Sequence, residues 1–179
     1  MSSRRSPSPR VNAAKRARAV ALWSALVSTH VLATTALPMS LAERTRLSNR
    51  VVLAQVFSTQ TVVKDGNPRS MRTLTQVVVS ENWKGEGAAQ LEIEQLGGRW
   101  GLWESHVPGD AQFTPGETVV LWLRCPAQGT CRLVRLGEGK ARVEGGDVQL
   151  TDLVTGQRIR KQLRALKAVV VNKPEGSQR

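Results

Sequence analysis

The feature that most constrains this chain is a succession of short runs rich in β-branched residues, each cut off by turn chemistry, between Val51 and Leu150. Residues 51–63 read VVLAQVFSTQTVV, Asp65-Gly66-Asn67-Pro68 supplies a reversal, and a second such run occupies residues 71–80. β-branched side chains suit a pleated surface, and Asp, Gly, Asn and Pro favour the dihedral angles of a turn, so the two runs predict a long hairpin. Lys84-Gly85-Glu86-Gly87 breaks the chain before a third strand at 91–96, whose Glu92 and Glu94 face is expected to meet water. An irregular loop then fills residues 97–116, a length that usually carries function or mobility. TVVLWLR at 118–124 is the most apolar short run of this region and predicts the central strand. A second hairpin follows, with its return strand at 132–136, and short strands at 141–144 and 148–150 end the series.

Two helices are expected to flank these strands. Ser40 followed by Glu43 has the form of a capping box, so a helix should run over 41–47 with Leu41 and Leu47 inward and Glu43, Arg44 and Arg46 outward. Past Gly156 the pattern changes to a period of 3.6, with Ile159, Leu163, Leu166 and Val170 on one side and Arg158, Lys161, Arg164 and Lys167 elsewhere. A basic amphipathic helix is therefore expected within 153–172, and residues 173–179 read as a disordered tail.

The chain has 179 residues, 40% hydrophobic and 22% charged, which suits one packed domain with tails and excludes both a large multidomain enzyme and wholesale disorder. Its net charge of +12 is unevenly placed. Residues 1–36 carry six basic and no acidic side chains, residues 37–152 carry thirteen of each, and residues 153–179 carry seven basic and one acidic. A neutral strand region gives no backing for a nucleic-acid grip, so no nucleic-acid partner is expected. The basic lead-in, the apolar run from Ala19 to about Ala33 and the small residues that follow read as a Sec-type export signal covering 1–36, cut after Ala36 or alternatively after Ala33. The run is too short and too diluted by polar residues for a comfortable membrane span, so a secreted or periplasmic chain with no stable span is expected. A buried N-terminal helix is the alternative, and would leave the chain in the cytosol.

In an exported chain, Cys125 and Cys131 at the feet of a hairpin loop read as a disulfide. Four-ligand zinc coordination cannot be assembled from Cys and His, because His106 is the one histidine after the signal; neither metal nor cofactor is expected. The residues after the signal offer no G-x-S-x-G elbow, no H-E-x-x-H, no phosphate-binding loop and no dinucleotide fingerprint. His106 next to Ser105 makes no dyad by adjacency, because neighbouring side chains on an extended chain point apart. Glu92 and Glu94 share a strand face but read as solvated.

Trp100 and Trp103 lie in the Gly-flanked loop, where an apolar plate with one polar N–H can meet a partner or cap the end of the core; both readings stay open. Trp83 and Trp122 read as core or edge residues. The basic C-terminal helix has three readings: a solvated helix packed on the strands, a contact for an anionic envelope surface, and a nucleic-acid grip.

The ordered pieces L-P-M-S-L-A-E at 37–43, V-V-L-A-Q-V at 51–56, E-N-W-K-G at 81–85, L-G-G at 96–98, V-P-G at 107–109, F-T-P-G-E-T-V-V-L-W-L at 113–123 and G-E-G-K-A-R-V at 137–143 resemble a group of small exported bacterial proteins of uncharacterised function. The order of helix, paired strands, W-K-G turn and later strands also resembles the netrin-type module of tissue inhibitors of metalloproteinases, an oligonucleotide/oligosaccharide-binding (OB) barrel. Those inhibitors place an N-terminal Cys at the protease zinc. No Cys lies near Leu37, so that chemistry does not carry over. The resemblance implies a five- to six-stranded antiparallel OB-like barrel over 37–152 in a mainly β chain, with the short N-terminal and the C-terminal helix beside it. The expected role is non-enzymatic binding of an envelope or extracellular protein, proteases among them, or of a glycan. The 97–116 loop would make the contact through Trp100, Trp103, His106 and Phe113. The alternatives are a small secreted hydrolase using His106, and a structural envelope component with no discrete site.

Overall fold

The computed structural model describes residues 39–151 and 158–172. The expected export signal, its cleavage position and the tail at 173–179 lie outside those residues. Helix α1 (Leu41–Leu47) starts at Ser40, whose Oγ accepts the Glu43 N–H at 3.1 Å. Its inner face is not the expected one. Arg44 and Thr45 are buried, because on a helix of 3.6 residues per turn Arg44 falls between Leu41 and Leu47, and seating both leucines seats it too. The Arg44 guanidinium lies 5.2 Å from the centroid of the Trp122 ring, and Trp122 Nε1–H donates to Thr45 Oγ1 at 3.2 Å.

Strand β1 (Arg50–Val62) and strand β2 (Arg72–Lys84) form the long hairpin, turned through Asp65 and Gly66 with φ of 52° and 65°. Strand β3 (Gln90–Leu96) continues outward from β2. On its other side β1 pairs with β6 (Thr118–Arg124), which lies inside the sheet as expected. The first half of β6 pairs with β8 (Lys140–Glu144) and its last two residues with β7 (Arg132–Leu133). Beyond β8 come β9 (Asp147–Thr151) and β10 (Arg158–Gln162), so the order is β10-β9-β8-β6-β1-β2-β3, antiparallel throughout. Of the two strands not yet placed, β4 (Gly98–Trp100) and β5 (Trp103–Ser105) make a separate two-stranded sheet.

The first part of β1, Val51–Ala54, and Val119–Leu123 of β6 read as unbroken apolar runs because both of their faces are covered. Val51, Leu53, Val120 and Trp122 point to a core shared with Trp83, Val148 and the helices. Val52, Ala54, Val56, Val119, Leu121 and Leu123 point to a second core with Val77, Ile93 and Cys131. Strand β3 and the start of β7 approach each other there. A parallel bridge joins Ile93 to Cys131, with Cys131 N–H donating to Glu92 O and Glu94 N–H to Cys131 O, both at 2.8 Å. No continuous ladder closes the sheet among the described residues.

The disulfide between Cys125 and Cys131 is formed, tying the end of β6 to the start of β7. β7 is shorter than expected, because Arg135 and Leu136 take left-handed φ of 56° and 54° and the chain enters a 3₁₀ turn, Leu136–Gly139. The C-terminal region also departs from expectation. Residues 158–162 are a strand on β9, and only Leu163–Val171 is helical (α2). Ile159 and Leu163, four apart, imitate one helical face, yet Ile159 is 46% exposed on β10. Leu166 and Val170 are the residues that anchor α2 in the first core.

Candidate functional site

The 97–116 loop is built on two glycines at the end of β3. Gly97 has φ of 88°, and a Cβ there would stand 2.4 Å from the Ser105 carbonyl oxygen, so only glycine lets the two arms of the loop close up. A Cβ on Gly98 would meet Thr61 Oγ1 at 2.6 Å, and the Arg99 N–H donates to that same oxygen at 3.2 Å. The base of the β4–β5 hairpin is thereby seated on the far end of β1.

From that base the hairpin turns through Gly101, φ 59°, and Leu102, the glycine-first arrangement suited to a two-residue reversal. Trp100 and Trp103 lie directly opposite each other, 44% and 61% exposed, and Leu102 at the tip is fully exposed. These three side chains belong to neither core. The Trp rings thus lie outside the packed interior, and the tip is an apolar surface in contact with solvent.

Arg99 opposes Glu104 one step nearer the base. Together with Thr59, Thr73, Gln95 and His106 they border a polar cleft of about 240 Å³. His106 is exposed, and no hydrogen bond joins it to a carboxylate or to Ser105 among the described residues. Phe113 is placed differently from the other three expected contacts. It is half-buried against the second core, with Lys140 Nζ 4.7 Å from its ring centroid. Lys140 is paired with Glu117 and also donates to the Gln112 carbonyl. Burial pushes its pKa down, while the Glu117 carboxylate acts in the opposite direction. Phe113 and Lys140 therefore pin the end of the loop whose tip the tryptophans occupy. Gln95 Nε2–H donating to Ala111 O at 2.7 Å and Gly137 N–H donating to Gly109 O at 2.9 Å hold its middle.

The β3 carboxylates do not form a free acidic face. Glu94 is 80% covered and meets Arg72 and Arg132, each at 3.3 Å, and the Thr130 hydroxyl at 2.9 Å. Burial alone would raise its pKa, but Thr130, Arg132 and Arg72 outweigh that and hold it below the usual carboxylate range. Among the described residues no group of three His, Cys, Asp or Glu side chains could hold a metal ion, and no helix is long and apolar enough to cross a membrane.

Two apolar side chains escape a pattern reading. Leu102 is hidden from it because a lone leucine in a Gly-rich stretch carries no period, although its place between two tryptophans marks it. Phe57 is 71% exposed, because the β1–β2 register slips between Val56 and Ser58 and leaves Phe57 as the extra residue of a bulge. With Val78 and Leu91 it borders a cleft of about 300 Å³ on the outside of the sheet. No protein-family model matches the sequence, and no curated protein is similar to it.

Proposed function

We propose that this chain is an exported, non-enzymatic binding module on an OB-like barrel, and that the tip of the β4–β5 hairpin is its contact surface. One observation carries the reading: Trp100, Leu102 and Trp103 stand exposed on a hairpin whose base is fixed by close backbone packing. Large rings on a preorganised hairpin offer contact area at little entropic cost, which is how aromatic anchors supply most of the energy at interfaces. The partner is an envelope or extracellular protein, or a glycan whose C–H faces stack on the rings. The strand path β1, β2, β3, Cys131, β7, β6 and back to β1 supports the barrel. The disulfide and the basic, apolar N-terminal segment support export, and resemblance to the small exported bacterial proteins supports both.

The test compares the protein with its Trp100→Ala/Trp103→Ala variant for cross-linking in an envelope fraction and for binding to a glycan array. A specific protein adduct or glycan signal that the variant loses, with its circular dichroism unchanged, supports the reading. Equal capture by both chains contradicts it. Hydrolysis of an ester or peptide panel that His106→Ala abolishes, in a folded variant, would replace it with the hydrolase.

A further inference from the structure

The charge that the strand region lacks is concentrated on β10 and α2. Arg158, Arg160, Lys161, Arg164 and Lys167 are all exposed there, and residues 158–172 contain no acidic side chain. Lys167 alone is neutralised, 2.8 Å from Glu81; the other four make no ion pair among the described residues. β10 is an edge strand and every residue of it is exposed, with Arg158 and Arg160 on one side of the sheet and Ile159 and Lys161 on the other. Arg160 stands opposite Gln149 of β9, which in turn stands opposite the exposed Arg142 of β8, itself paired with Glu144 at 3.0 Å. α2 starts where β10 ends and buries Leu166 and Val170. Its outward face therefore carries Arg164 and, seven residues on, Val171, which is 52% exposed. Ile159 and Val169 add exposed aliphatic surface at 46% and 53%.

From this we infer that β10 and α2 form a peripheral docking surface for anionic phospholipid, separate from the Trp hairpin. Charge complementarity selects the class of partner, since unpaired cations near an anionic leaflet each add favourable energy that sums over the patch. The aliphatic side chains select lipid over other polyanions. Ile159, Val169 and Val171 gain from the acyl boundary, whereas the phosphates of a nucleic acid engage the cations alone and offer these aliphatic side chains nothing.

The experiment is sedimentation of the full chain with vesicles of phosphatidylcholine alone or with one-third phosphatidylglycerol, beside the same chain carrying Arg158→Gln, Arg160→Gln and Arg164→Gln. Both chains carry residues 1–38 alike, so the ratio of their partition coefficients reads β10 and α2. A loss of about fivefold per charge, roughly a hundredfold for the triple variant, is expected on the anionic vesicles only. Ile159→Ser/Val171→Ser should weaken the vesicle binding severalfold while leaving binding to a short DNA duplex unchanged. Equal partition of wild type and triple variant overturns the inference. So does a vesicle affinity that ignores Ile159→Ser/Val171→Ser while duplex DNA binds as tightly as lipid.

Discussion

Residues that contradict simple burial rules mark where this fold is held most tightly. Arg44 is buried with its Nε lacking a hydrogen bond, and Glu138, 2% exposed, leaves Oε2 without one while Arg135 Nε stands at 3.8 Å. Burial lowers the Arg44 pKa and the Glu138 carboxylate acts against that, although the ion-pair partner of Glu138 is Arg135. Removing Glu138 takes away the carboxylate that offsets the burial of the Arg44 charge. Glu138→Gln should cost about 1–3 kcal/mol in denaturant unfolding, and Arg44→Met/Glu138→Leu should recover part of that loss. Gly97 makes a second residue-scale prediction. Gly97→Ala puts a Cβ against the Ser105 carbonyl at a left-handed φ and should cost about 2 kcal/mol, read from the same unfolding curves.

At the scale of elements, α2 is tied to the sheet by Lys167 on Glu81, and β3 by the cations around Glu94. Hydrogen bonds from Lys167 and then Trp83 hold the Glu81 pKa down, as Thr130 and the two arginines hold down that of Glu94. A carboxyl with a depressed folded pKa adds stability above its ordinary value of 4.5 and loses it as pH falls through the folded value. The melting midpoint should therefore fall as pH drops below about 4.5, and Glu81→Gln/Glu94→Gln should flatten that part of the profile.

The elements differ in how openly the sequence declares them. β1, β2, β3 and β6 are legible because β-branched runs between turn residues have one good use, and α1 because Ser40 caps it. The inner face of α1 is not, since Arg44 and Thr45, a charged and a polar residue, lie with Leu41 and Leu47 on the side that packs inward. β10 is disguised by the four-residue spacing of Ile159 and Leu163, which suits a helix until β9 supplies a ladder. The β4–β5 hairpin is readable in hindsight from Trp-Gly-Leu-Trp, although the exposure of its tip depends on where Gly97 and Gly98 seat the base. Trp100, Trp103 and His106 are exposed, an outcome the sequence leaves open, while Phe113 turns inward because Lys140 and the second core claim its ring.

For the whole molecule, the disulfide acts beyond its own loop. Cys131 is buried in the second core and its backbone bonds β3, so the link from Cys125 also ties the end of β6 to β3. Closing so short a loop is worth about 2 kcal/mol, and Cys125→Ser/Cys131→Ser should lower the melting midpoint by roughly 4–8 °C. The tryptophan-bearing tip, by contrast, lies outside both cores. Calorimetric melting of the Trp100→Ala/Trp103→Ala variant beside the parent tests this most directly. An unburied tip predicts midpoints within about 2 °C of each other. A fall of more than about 10 °C, the expectation for deleting two core tryptophans, would contradict the account.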